Sequence, residues 1–269
     1  MKTHSTYPIG IAGQKWGDEE RLAWRQQTHI KREYQLEVVP KILALAEEFE
    51  LEQYGALSYD PARYPLYCLK TKAWDESKPT VLITGGVHGY ETINRWNPNA
   101  VDPNRSFYAQ SPAEESANLM RLVATLGPIL VHFDLHETTD TDESEFRPAL
   151  AARDGIDYIE GMIPDGFYTV ADTENPQPEF QAAVIESVSR VTHIAPADEN
   201  GEIIGSPVIQ HGVIHYPMVK LGLCGGVAHC QFGTTTEVYP DSPKVTAQEC
   251  DDAQVAAIVG GLDYVITQL

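Results

Sequence analysis

Basic residues are scarce in this chain: 19 Lys and Arg stand against 39 Asp and Glu, a formal charge of −20 over 269 residues. Nucleic acid and anionic membrane need a basic face, so both are excluded as partners. No apolar run approaches the about 20 residues of a membrane-spanning helix. The opening Met-Lys-Thr-His-Ser-Thr-Tyr-Pro lacks a basic-then-apolar leader pattern, and a cytoplasmic location is expected. Cysteines are few: Cys68, Cys224, Cys230 and Cys250, without Cys-x-x-Cys spacing. Free thiols are expected rather than a disulfide frame. There is no Gly-x-Ser-x-Gly elbow and no phosphate loop, which argues against serine hydrolases and nucleotide-binding proteins. Repeats, low-complexity tracts and long linkers are absent, and residues 1–269 read as one domain with a substantial core.

What is present begins with an apolar strand pattern over 80–84, opened by Pro79 and followed by Gly85-Gly86-Val87-His88-Gly89-Tyr90-Glu91. Glycines at a strand's end let the backbone turn sharply. An imidazole and a carboxylate then stand at the carboxyl edge of a sheet, where open α/β folds bind ligands. Two histidines and a carboxylate form a zinc ligand set that leaves a coordination position for water. Residues 129–135 alternate Ile129, Val131, Phe133, Leu135 against Leu130, His132, Asp134, a second strand that delivers His136 at its end. His132, on the face of Asp134 and His136, reads as a structural hydrogen-bonder. Residues 233–240 read as a β-rich segment stopped by Pro240 and bearing Glu237, a residue type depleted in strands and rarely buried unpaired.

Taken in order, His88-x-x-Glu91, Asp102-x-Asn104-Arg105, the strand-end His136 and the late Thr-x-Glu ending at Glu237 resemble the zinc carboxypeptidase superfamily. That superfamily includes carboxypeptidase A-like peptidases and the aspartoacylase/succinylglutamate desuccinylase branch. The resemblance implies a three-layer α/β/α domain around a mixed, mostly parallel sheet. It implies Zn2+ held by His88, Glu91 and His136, with Glu237 as the catalytic carboxylate. Asn104 and Arg105 look like the clamp on a substrate's terminal carboxylate, and Asp102 like the acceptor that fixes the His88 ring. Arg95 resembles the arginine that polarises the scissile carbonyl. Tyr216 resembles the mobile tyrosine before the late Glu by order in the chain, without a local motif of its own.

The spacing departs from that family in one respect. Arg95 follows Glu91 by four residues and Asn104 follows it by thirteen, whereas a parallel crossover needs at least about 10–12 residues including its helix. One helix-strand unit of the usual sheet is therefore expected to be missing. Weakened activity and a homodimer closing the exposed edge follow as expectations.

Elsewhere, 18–50 carries a long charged amphipathic helix pattern interrupted near Pro40, and 66–71 an edge-like strand. Residues 111–126 and 177–189 read as helices, and 203–219 as short strands and turns. Thr246-x-x-Glu249 is a capping box before a helix with Val255, Ile258, Val259, Leu262, Val265, Ile266 and Leu269 on one face. The acid-rich stretch 138–147 reads as a solvated loop or, functionally, as a negative field favouring basic substrates. The reading is a zinc-dependent metallocarboxypeptidase cleaving C-terminal amino acids from peptides. The alternatives are an N-acyl amino acid amidohydrolase of the aspartoacylase type and a metal- or carboxylate-binding protein without turnover.

Overall fold

The computed structural model describes residues 7–30, 32–89 and 95–269. Its first third runs α1 (Asp18–Gln27), α2 (Tyr34–Glu37), α3 (Val39–Ala44), β1 (Phe49–Ala56), β2 (Pro65–Thr71) and β3 (Thr80–Gly85). The middle holds α4 (Glu114–Val123), β4 (Ile129–Glu137), α5 (Arg147–Asp154), β5 (Tyr168–Asp172) and α6 (Pro178–Val188). The remainder comprises β6 (Glu202–Ile203), β7 (Ser206–Pro207), β8 (Val213–Tyr216), α7 (Met218–Leu221), β9 (Phe232–Val238) and α8 (Ala247–Ile266). Among the described residues no helix is long and apolar enough to cross a membrane.

A five-stranded sheet in the order β3-β4-β9-β5-β8 organises the domain. β3, β4 and β9 are mutually parallel, β5 runs antiparallel to β9, and β8 is parallel to β5. This is a mixed, mostly parallel α/β sheet. Alternation along β4 assigns its faces: Val131 and Phe133 enter a core with Phe180, Val184, Phe232 and Ala257 under α6 and α8. His132, Asp134 and His136 point the other way and are equally buried. That second face is covered by short elements, with Tyr168, Val170, Ile214, Met218 and Leu223 packed together.

The capping box of α8 is present: Thr246 N–H donates to Glu249 (2.7 Å) and Glu249 N–H to the Thr246 hydroxyl (3.2 Å). Gly261 lets this helix press onto the sheet, since a Cβ there would lie 2.6 Å from Phe133. α4 and α6 occupy the expected helical stretches. The pattern over 18–50 does not form one helix. It divides into α1, α2 and α3, with Pro40 in the first turn of α3, where its missing N–H costs nothing. β1 then starts at Phe49 and pairs with β2 as a separate antiparallel hairpin.

No strand separates β3 from β4 in the sheet, and between β3 and α4 the described residues form only one short 3₁₀ turn, Pro103–Arg105. β3 is consequently an edge strand. The acid-rich stretch is helical rather than looped: a π-turn, Asp142–Phe146, runs into α5. Its acids are engaged, Glu143 by Arg147 (2.6 Å) and Tyr158 (2.5 Å), Asp140 by Tyr239 (2.6 Å), and Asp142 by Arg95. Arg95 and Arg147 offset the charges of Asp142 and Glu143, whereas the neutral Tyr239 hydroxyl leaves that of Asp140 in place.

Candidate metal centre

Parallel strands β3 and β4 end side by side, and their carboxyl ends bring two histidines together. After β3 the chain turns at Gly86 (φ +71°), a left-handed conformation that suits glycine. Gly89 N–H closes the turn on the Gly86 carbonyl (2.8 Å) and sets His88 beyond the strand. His136 leaves β4 at the same level. The two rings stand nearly perpendicular, at 80°, with centroids 5.2 Å apart. One tetrahedral metal bound to each of two imidazoles at about 2.0–2.1 Å sets their centroids about 5 Å apart.

Hydrogen bonding decides which nitrogen of each ring faces outward. His88 Nδ1 lies 3.1 Å from Asp102 Oδ1 and 3.2 Å from the Arg95 carbonyl, both acceptors, so Nδ1 carries the proton. Nε2 is then a bare lone pair, and it is buried with no hydrogen-bond partner among the described residues. An orphaned acceptor of this kind fits a cation. His136 Nε2 donates to Asp134 Oδ2 (2.9 Å), which leaves its Nδ1 as the lone pair. Burial disfavours the charge on Asp134, yet His136, His132 and Thr84 outweigh it and hold the carboxyl well below the usual range. Burial likewise opposes a charged His136 ring, but Asp134 and then Glu237 raise its pKa. Each imidazole is thus oriented by a carboxylate, the arrangement metal-bound histidines use. The two histidines fit a metal such as zinc. Glu91, expected as the third ligand, lies outside the described residues.

A second set offers ligand-type atoms: His132, Asp134 and Cys224, all buried, within 4.8 Å of one another. Its centre is filled. The Thr84 hydroxyl donates to Asp134 Oδ1 (2.8 Å), lies 2.9 Å from His132 Nε2, and accepts from Cys224 Sγ at 3.5 Å. Burial, reinforced by the Asp134 charge, pushes the Cys224 thiol well up. We read this set as hydrogen-bonded support for Asp134, in keeping with a structural His132.

Glu237 is the register partner of His136 across β4 and β9, on the same face of the sheet. It is buried and accepts a hydrogen bond from the Thr138 hydroxyl at 2.8 Å. Arg95 is close enough to act electrostatically on His136 and Glu237, but its guanidinium is bidentate on Asp142, with a further contact to the Glu137 carbonyl at 3.4 Å. The buried Trp96 anchors this arginine against Trp16, Trp24 and Phe146.

Asn104 uses its side-chain oxygen to accept from Cys224 N–H (2.8 Å), and its own N–H donates to Asp102 (2.9 Å). Arg105 is half exposed, its Nε 3.9 Å from Asp102, so its fork remains open to an anion. Tyr216 ends β8 beside Asp172, at the opposite rim of the sheet from Glu237. Among the described residues it bears on the site through an electrostatic effect on Tyr168. The sequence reading passed over Thr84, Asp142, Cys224, Thr138 and Tyr168. Phe167 to Ala171, β-formers after Gly166, carry a strand signal for Tyr168; the others have no local signature.

No protein-family model and no curated protein matches the chain. Solved structures do. A candidate metallopeptidase of Shewanella baltica superposes with a TM-score of 0.53 at 14% identity, over 84% of this chain and 92% of its own. One from Shewanella denitrificans gives 0.52 at 14% identity, over 84% and 90%. A metallo-carboxypeptidase of Burkholderia cenocepacia gives 0.50 at 13% identity, over 83% and 68%. The chain shares the α/β fold of these metallopeptidase and metallo-carboxypeptidase structures.

Proposed function

We propose that this protein is a metal-dependent hydrolase of peptide bonds, acting as a zinc metallocarboxypeptidase. One observation carries the reading. Two imidazoles, each held by a carboxylate at one nitrogen, stand with centroids 5.2 Å apart, and the buried carboxylate of Glu237 lies across the ladder from one of them. His88 and His136 would hold the metal, with Glu91 as third ligand by resemblance. A zinc ion there would supply Lewis acidity toward the scissile carbonyl and water. Glu237 would accept a proton from the attacking water and return it to the departing amine. Arg105 grips the C-terminal carboxylate with a two-pronged fork.

A binding protein that holds metal without turnover is the second reading. It is favoured by two groups engaged elsewhere, Arg95 on Asp142 and Asn104 on Cys224 N–H. Peptides with free and amidated C-termini, tested beside N-acyl amino acids with and without added zinc, separate the readings. Zinc-dependent release of C-terminal residues supports the peptidase, and release of acyl groups alone supports the amidohydrolase. Metal binding without either product leaves the binding protein.

A further inference from the structure

We propose that Thr138 and Tyr168 are positioning residues that fix the carboxylate of Glu237, an inference that rests on Glu237 being the proton carrier. His136, Glu237 and Tyr168 lie abreast on one face of three adjacent strands, β4, β9 and β5. Just beyond the end of β4, Thr138 is anchored by its own N–H to the Val238 carbonyl at 2.8 Å. Its hydroxyl thereby falls between the two neighbours, 2.8 Å from Glu237 Oε2 and 3.2 Å from the Tyr168 hydroxyl.

The proton order of this chain follows from counting donors. A threonine hydroxyl has one proton, and Glu237 accepts it. The Tyr168 hydroxyl must therefore donate to Thr138, since Thr138 has only lone pairs left to offer. Burial, with the Glu237 charge behind it, pushes the Tyr168 pKa well above its ordinary value, so this donor never ionises in the working range. Each bond in such a chain polarises the next and strengthens it.

Two neutral hydroxyls do not cancel the charge of the carboxylate. What they do is direct it: Oε2 is tethered and Oε1 is left for the proton in transit. The bland reading is that a buried carboxylate has simply found a hydrogen bond. The two readings differ in what deletion does to turnover relative to binding, and in where the carboxylate rests.

The test uses the full-length, zinc-loaded protein and the variants Thr138→Val, Thr138→Ser and Tyr168→Phe. Thr138→Val should lower kcat roughly 10- to 100-fold, the value of a hydrogen bond to a charged group, with KM and zinc content unchanged. Thr138→Ser should restore most of the loss, and Tyr168→Phe should show a smaller fall of the same kind. An unchanged kcat in Thr138→Val, or a serine variant as poor as the valine, overturns the proposal. Crystal structures of the wild type and Thr138→Val form an arm independent of activity. The Glu237 carboxylate should turn away from its wild-type position in the variant, and an unmoved carboxylate overturns the proposal. If the wild type hydrolyses nothing, the proposed function fails while this arm still decides the positioning. If Thr138→Val does not fold, Tyr168→Phe supplies the same comparison.

Discussion

Glu237 stands directly across the β4–β9 ladder from His136, on the same face of the sheet, and its charge helps to raise the pKa of that histidine. Strand register fixes the carboxylate beside the ring through backbone hydrogen bonds rather than through a flexible loop. A group placed this way would act on a metal held by the histidine without itself being needed to hold it.

Glu237→Gln should therefore retain the fold and the metal and lose turnover by a factor of order 10²–10⁴, the usual contribution of a positioned acid–base group. Metal analysis beside steady-state kinetics checks this. Loss of metal in the variant would make Glu237 a ligand.

Arg105 should govern KM rather than kcat. Its fork is half exposed, and among the described residues the anion beside it is Asp102 at 3.9 Å. A charge-assisted bond is worth about 1.5–3 kcal/mol, so Arg105→Ala should raise KM roughly tenfold or more for peptides with a free C-terminus. Amidated peptides should be cleaved poorly by both proteins. Equal cleavage of the two peptide forms by the wild type would remove the clamp.

Stability should fall in acid partly through Asp165. Lys244 (2.6 Å) and Ser242 (2.6 Å), with His193 (3.1 Å), hold its carboxyl below the usual range. A depressed carboxyl contributes stability that is fully present above its unfolded pKa of about 3.9 and is lost as pH falls through the folded value. The group is one-third exposed, and solvent screening limits the contribution to about 1 kcal/mol. Asp165→Asn should be less stable than the wild type in urea unfolding at pH 7, and the two curves should converge toward pH 2. A constant difference across that range would contradict the linkage.

The open edge should favour self-association. β3 is paired on one side only among the described residues, and it carries no charged residue. Val81 and Ile83, on the face of Val131 and Phe133, remain 39% and 47% exposed. Unprotected edges of this kind pair with further strands. We propose a homodimer joined through β3, and Ile83→Lys should convert it to a monomer in light scattering. A wild-type monomer at working concentration would contradict this.

The site was legible where its signals are local. Glycines after an apolar run located His88, strict alternation located His136, and a glutamate among threonines located Glu237. β1 was hidden because Gln53 cuts short the alternation of Phe49 and Leu51 with Glu50 and Glu52, and the preceding helical pattern was carried into it. The partnership of Thr138 and Glu237 spans 99 residues and exists only through the register of β4 and β9. Arg95 is the instructive case. The family resemblance implied a carbonyl-polarising group, and 47 residues downstream Asp142 receives its fork, a pairing that no local pattern announces.

Metal content measured in the wild type and in two pairs of variants tests the central claim most directly. Purified protein should contain about one zinc equivalent, His88→Ala and His136→Ala should lose most of it, and His132→Ala and Cys224→Ala should keep it. Zinc retained in the first pair but lost in the second would move the metal to the His132, Asp134 and Cys224 set and contradict the account.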